Sequence, residues 1–373
     1  MKFNFLSSLL LFVVVLFGSV AVSAQSAPRL FSVTANASPF AERSSAAAVD
    51  EQLINVNFNA AAADIIELPI GGKVFRAVKF DSDIRAIDDT TWRGKIVERD
   101  FEGDVILTFH KGCLAGLVYA PDGVFEIVPR AEHHLLVKLD QSRFPECGGA
   151  PSVEEPKSQP EPNSPLASAV DSGDRIDVLV VYTTATKNFL GGDAQAQALS
   201  QNAIDATNTA YINSRVRQRV RMVEAKEWVY TEATSASTDL SNLRNDAGIQ
   251  ALRNSTNADL VAMIGEVAGV CGIGYLMGSN PAGNANAGFT VTDRSCAVGN
   301  LSFAHELGHN MGSQHNPENG SGATYAFGYG HYVNGVFRTV MSYSNPCANG
   351  CTRRPYFSNP SIAYQGFPTG LDN

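Results

Sequence analysis

The chain has 373 residues, 28 Lys and Arg against 37 Asp and Glu, and a formal net charge of −9. That balance leaves no basic footprint for nucleic acid. Its 44% hydrophobic residues suffice for more than one packed core. Six cysteines, Cys113, Cys147, Cys271, Cys296, Cys347 and Cys351, suit an oxidising compartment.

Taken in chain order, residues 1–24 have the makeup of a secretory signal. Lys2 gives a positive start, Leu9 to Phe17 is an unbroken apolar run, and Val22-Ser23-Ala24 offers small residues for cleavage. The apolar run is short for a membrane span, and nothing later approaches that length, so an exported protein that leaves the membrane after signal removal is expected. Residues 25–148 read mainly as strands. Short alternating or apolar runs at 65–68, 74–78, 103–109, 114–119, 125–128 and 134–139 are separated by Gly, Asp and Pro. The even cysteine count favours a Cys113–Cys147 disulfide. Residues 149–174 carry five prolines between Pro151 and Pro165 among Ser, Glu and Gln, and read as an exposed linker. Four Asn-x-Ser/Thr sequons begin at Asn36, Asn254, Asn300 and Asn319.

Residues 175–373 form the second domain. Arg175 to Tyr182 is a β-branched run and predicts a buried strand. Asp193 to about Asn213 is Ala-rich with helical spacing. Val220 to Val229 alternates as a strand, Leu240 to Arg253 returns to helix, and Ala258 to Ile264 is another buried strand. This order is an α/β layered domain. Cys271 to Leu276 reads as an edge strand able to bind an extended peptide by strand addition. Cys271 and Cys296 bracket that strand and the Gly/Asn-rich loop after it, which pairs them. Cys347 and Cys351 would close a second short loop.

His305-Glu306-Leu307-Gly308-His309-Asn310-Met311-Gly312-Ser313-Gln314-His315 carries the chemistry. His305 and His309 are four apart and share one helix face, a geometry that suits two imidazoles on one Zn²⁺. Glu306 is the next residue round, close enough to act as a general base without filling a coordination position. Gly312 can adopt positive φ, stop the helix and return the chain so that His315 becomes the third ligand. Three protein ligands leave a fourth position open, the mark of a catalytic rather than a structural site. His110, His133, His134 and His331 show no ligand pattern.

This stretch resembles the metzincin metallopeptidases, whose signature is H-E-x-x-H-x-x-G-x-x-H followed by a methionine turn. Thr339-Val340-Met341-Ser342-Tyr343, 24 residues after His315, matches the second element. The resemblance implies an α/β (α+β) catalytic domain with a twisted mixed sheet, a zinc helix and a Met-turn. It implies that Met341 floors the three imidazoles. Tyr343 is a candidate fifth ligand and oxyanion partner, or a packed structural tyrosine. The implied activity is that of a monomeric, secreted endopeptidase with one catalytic Zn²⁺ and protein or peptide substrates. Glu306 would assist attack of zinc-bound water on the scissile carbonyl.

Two further likenesses concern control and specificity. The β-rich residues 25–148, ahead of a cleavable linker, resemble an inhibitory pro-domain, with an independent binding module as the alternative. Pro145-Glu146-Cys147-Gly148 is similar to the cysteine switch of matrix metallopeptidase pro-segments, where a thiolate occupies the fourth zinc position. That role excludes the Cys113–Cys147 disulfide. Arg353 to Pro360 looks like the tail of reprolysin-like (adamalysin-type) bacterial enzymes, including the peptidyl-Asp metallopeptidase group. Arg338, Arg353 and Arg354 are therefore candidate pocket residues for an acidic side chain after the scissile bond, or else solvated surface. The competing functional class is a non-catalytic extracellular binding or adhesion protein that keeps a metzincin fold.

Overall fold

The structure is a computed structural model that describes residues 27–99, 101–153, 175–278 and 284–372. The expected signal segment 1–24 and residues 154–174 of the expected linker lie outside the described residues. The N-terminal half is one nine-stranded sheet: β1 (Phe31–Ala35), β2 (Ala48–Val56), β3 (Ile65–Ile70), β4 (Lys73–Ala86), β5 (Asp89–Glu98), β6 (Phe101–His110), β7 (Cys113–Ala120), β8 (Gly123–Arg130) and β9 (His133–Leu139). The order is β1-β2-β9-β8-β7-β6-β5-β4-β3, so β3 to β9 form a meander of hairpins. Every pairing is antiparallel.

Six of these strands sit where alternation predicts them. The sequence reading passes over β1, β2 and β5. The polar composition of β5, Asp-Thr-Thr-Trp-Arg-Gly-Lys-Ile-Val-Glu, hides it. Its Thr91 and Arg93 are nonetheless buried, because their partners are side chains rather than water: Asp205 and Thr209 of the C-terminal half, with Arg85, Asp81 and Asp83 of β4.

The C-terminal half runs β10 (Arg175–Thr183), α1 (Thr184–Leu190), α2 (Asp193–Asn213), β11 (Arg219–Trp228), α3 (Ala236–Asn245), α4 (Ala247–Thr256), β12 (Leu260–Gly265), β13 (Gly272–Gly274), α5 (Asn284–Ala287), β14 (Phe289–Asp293) and α6 (Ser302–Asn310). Its sheet has the order β11-β10-β12-β14-β13. Four strands are parallel and β13 closes the edge antiparallel. The chain is thus mixed α/β, with the expected mixed sheet in its second half. The one helix expected at 240–253 is two, divided at Asp246, whose side chain accepts from Ile249 N and caps α4. The strand β14 and the helix α1 escape the sequence reading.

Helix α2 is buried around nearly its whole circumference, which its sequence of Ala, Thr, Asn and Asp does not announce. It packs on β11 from one side and on β6 and β7 from the other. One hydrophobic cluster joins both halves, running from Ile106, Leu117 and Tyr119 to Val178, Leu199 and Ala203.

Beyond α6 lies a small sheet of β15 (Tyr332–Val333), β16 (Phe337–Arg338) and β17 (Thr352–Arg353). The β16–β17 register sets Arg338 beside Arg353. Disulfides join Cys271 to Cys296 and Cys347 to Cys351, as expected. Cys113 and Cys147 are unpaired, so the expected Cys113–Cys147 bridge is corrected. Cys113 packs instead against Ala115 and Ala198. Among the described residues no helix is long and apolar enough to cross a membrane.

Candidate active site

Helix α6 holds His305, Glu306 and His309, all buried. Four-residue spacing stacks the two imidazoles one turn apart, with ring centroids 4.8 Å apart and planes at 89°. Gly312 takes φ +85° just past the helix end. Ser313 N donates to Gly308 O at 2.9 Å, closing the last turn in the manner of a left-handed C-terminal cap. The chain then reverses and delivers His315, whose Nε2 stands 3.1 Å from that of His309. His305 Nδ1 is 2.8 Å from Val340 O, and His309 Nδ1 is 2.8 Å from Ser313 O. Each carbonyl fixes its ring so that Nε2 is the inward nitrogen.

One ligand atom from each of Cys147, His305, His309 and His315 lies within 4.8 Å of all the others. Their fit to a metal ion rests on two observations. Ligands about 2.0–2.1 Å from one ion at tetrahedral angles stand roughly 3.3 Å apart, close to the His309–His315 separation. His305 Nε2, moreover, is buried without a hydrogen-bond partner, and a buried nitrogen of that kind requires something to accept its lone pair. Burial lowers the pKa of His309 to about 3, helped by the neighbouring His315, and that of His315 to about 4. His305 is lowered well below the ordinary imidazole value for the same reason. All three are neutral donors at physiological pH.

Cys147 and Glu306 share the centre. Cys147 Sγ lies 3.5 Å from Glu306 Oε2 and 3.7 Å from His309 Nε2. Burial raises the Cys147 thiol and the Glu306 carboxyl well above their ordinary values. Tyr343 stands against His315 with ring centroids 4.1 Å apart, and its hydroxyl donates to Cys147 O at 2.8 Å. Burial and the nearby Cys147 and Glu306 push its pKa up. Met341 is buried, and its sulfur lies within clashing distance of where a Cβ on Gly308 would be, so a side chain at 308 would clash with the methionine.

The segment carrying Cys147 lies along β13. Cys271 N donates to Glu146 O, Gly148 N to Gly272 O, and Leu276 N to Pro151 O. The Ser152–Leu276 bridge is parallel. The first residues of the expected linker therefore run along this strand edge instead of leaving the surface.

The three arginines divide. Arg338, Arg353 and Arg354 are 1%, 2% and 8% exposed, which overturns the solvated-surface alternative for all three. Arg338 donates to Ser342 O and Asn300 Oδ1, and Arg353 to Asn300 O and Ser342 O. Arg353 Nη2 lies 3.9 Å from Glu146 Oε2. Arg354 turns instead toward the N-terminal half, 4.8 Å over the Tyr119 ring and 5.7 Å from that of Phe101. Asn300, a sequon in the sequence, is buried under the two guanidinium groups and closed to modification.

Sequence reasoning missed Glu146, Ser344, Asn310 and Asn316. Ser344 N donates to Glu146 Oε1 at 2.8 Å, and Ser344 Oγ donates to the same oxygen. Burial works against the Glu146 carboxylate, yet Arg353, Arg338 and Ser344 hold its pKa below the ordinary value. Asn310 Nδ2 ties the end of α6 to Tyr275 O and Ala287 O, and Asn316 Oδ1 accepts from Tyr343 N. Adjacency to Cys147 and to Tyr343 was the available signal for Glu146 and Ser344. The two asparagines carry the same signal, each directly following a candidate ligand, His309 and His315.

Comparison with known proteins bears on this geometry. A family model described as metallo-peptidase family M12 matches residues 172–358. A peptidyl-Asp metalloendopeptidase of Stenotrophomonas maltophilia is 30% identical over 333 residues, covering 86% of this chain and 77% of that protein. A second, from Xanthomonas campestris pv. campestris, is 29% identical over 367 residues, covering 92% of this chain and 86% of that one. Among solved structures, metalloproteinase-II from Bacteroides fragilis aligns with TM-score 0.37 and 13% identity over 71% of this chain and 85% of that chain, too distant to bear on the fold.

Proposed function

The chain belongs to metallopeptidase family M12 and is a zinc metalloendopeptidase, and from that premise we propose that it is secreted as a zymogen, with a single catalytic zinc held by His305, His309 and His315. The observation that carries the assignment is the convergence of four donor atoms within 4.8 Å, with His305 Nε2 buried and unpartnered among them. Zinc, when bound, supplies Lewis acidity toward the scissile carbonyl and toward a water molecule.

The remaining chemistry belongs to the chain's own side chains. Glu306 takes the proton of the attacking water and passes it to the departing amine. The Tyr343 hydroxyl, which here donates to a peptide carbonyl, donates to the oxyanion as charge develops. Met341 floors the imidazoles as the Met-turn methionine. The edge of β13, here taken by residues 146–152, pairs with the extended substrate through main-chain hydrogen bonds once that segment leaves, so affinity there is independent of sequence.

In the zymogen, residues 25–148 act as a β-rich pro-domain and Cys147 is the cysteine switch, its sulfur the fourth donor at the metal. The signal at 1–24 directs export, and the two disulfides suit the oxidising destination. Cleavage within the linker 149–174 separates pro-domain from catalytic domain (175–373). The buried Arg338 and Arg353 favour an acidic residue after the scissile bond, in line with the peptidyl-Asp name of the relatives.

The test uses the full chain on casein and on peptides differing only by Asp, Asn or Leu after the scissile bond. Expected is a latent protein that gains activity once the linker is nicked, prefers Asp, and loses activity to a zinc chelator. Activity indifferent to the chelator would overturn the reading.

A further inference from the structure

Two guanidinium groups lie side by side in the register of β16 and β17, both almost fully buried. Their hydrogen bonds go to neutral oxygens of Asn300 and Ser342, and the Nε of each is buried without a partner. Burying two positive charges without a bonded anion is costly, because desolvation is not repaid by neutral acceptors. The acid at hand is Glu146, with Oε2 3.9 Å from Arg353 Nη2 and itself lacking a hydrogen bond. Its other oxygen takes both the backbone N–H and the hydroxyl of Ser344. Glu146 also immediately precedes Cys147, and its own carbonyl accepts from Cys271 N beside β13. An acidic side chain, a strand-edge contact and a metal-directed sulfur thus arrive together on two successive residues.

We propose that Glu146 is the chain's own occupant of its specificity pocket, and that Ser344, acting with Arg353 under the field of Arg338, selects the acidic side chain of the substrate. Arg354, which faces Tyr119, is no part of that pocket. The inference rests on the zinc-peptidase reading and deepens it. The zymogen is held shut at two points, the thiol at the metal and the carboxylate in the pocket, and a substrate competes for both. The unused Nε groups leave room for a substrate carboxylate to gain the bidentate contact that Glu146, at 3.9 Å, does not make.

Two variants of the full chain test this. In zinc-loaded Glu146→Gln, modification of Cys147 by a thiol reagent, followed by mass of its peptide so that Cys113 is distinguished, should accelerate about tenfold or more. Such a change corresponds to losing a charge-assisted contact of roughly 1.5–3 kcal/mol. Thermal denaturation of the same sample confirms that the chain is folded. In Ser344→Ala, nicked to activate it, KM for the Asp peptide should rise about tenfold while KM for the Leu peptide holds. Unchanged thiol exposure and unchanged Asp preference, in an enzyme that still cleaves with zinc, would overturn the pocket assignment and leave the peptidase reading standing. Wild-type protein that cleaves no peptide with zinc after nicking would overturn both.

Discussion

Glu306 shows how one residue's environment serves its proposed role. It is fully buried, one carboxylate oxygen meets Cys147 Sγ at 3.5 Å, and the other has no hydrogen-bond partner. Such a group is held ready for a proton rather than committed to a structural bond. Replacing it by the isosteric amide in Glu306→Gln keeps the packing and removes only the base. Turnover of the activated enzyme should fall by about 10²–10⁴-fold, while metal content measured by atomic emission stays at one zinc per chain. Undiminished cleavage would remove Glu306 from the mechanism. At this scale the histidines and Glu306 were legible, because helical spacing of four and a glycine three residues on are local signals. Ser344 and Glu146 were not, since their roles arise from a meeting across 198 residues of chain.

Among the elements, β13 decides most. It is only three residues long, and its glycines admit helix α6: a Cβ on Gly272 would sit 2.7 Å from Glu306 Oε1 and 2.8 Å from Val291 O, and one on Gly274 would meet Glu306 O at 2.9 Å. Gly272→Ala should therefore displace the base or the strand. Overpacking of this kind costs about 1–3 kcal/mol. The expected result is a lower Tm together with at least a tenfold loss of kcat/KM. A variant with wild-type activity would show that the strand and helix are less closely coupled than the distances state. The cysteines bracketing β13 were readable as a pair, but its antiparallel place beside β14 was not, because β14 itself went unrecognised.

Across the whole molecule, the two halves meet along α2. Asp205 on that helix accepts from Thr91 and Thr108 of the N-terminal sheet at 2.6 Å each, with Gln201 at 3.0 Å. A second buried acid at the same junction is Glu126 on β8, so close to Gly299 that a Cβ there would lie 2.6 Å from its Oε2. Burial raises its pKa from 4.5 to about 8, against the pull of Arg294. The folded chain therefore retains a proton that the unfolded chain gives up. The contribution of Glu126 to stability is full below about pH 4.5 and is lost as pH rises toward 8, since at this site the folded state binds more protons throughout that window. Thermal denaturation between pH 5 and pH 8 should show the Tm of Glu126→Gln gaining on that of the wild type as pH rises, the other titrating groups being common to both proteins. Parallel slopes for the two proteins would place the pH dependence elsewhere.

The sequence by itself determined whatever is written in short-range periodicity: the helix that carries His305 and His309 and its stop, six strands of the N-terminal sheet, helix α2, and both disulfides. It left Cys147 undecided between a bond to Cys113 and the metal centre. Tertiary structure set the bridge aside by packing Cys113 against α2 and laying residues 146–152 along β13, with the Cys147 sulfur among the three imidazoles. It also buried Arg338, Arg353 and Arg354, which composition alone could leave in solvent, and set a glutamate from the other half of the chain against Arg353. The physical reason is the same in each case. Spacing along a helix or strand fixes which side chains are neighbours, whereas the partner of a buried charge or a free thiol is fixed only when distant elements close around it.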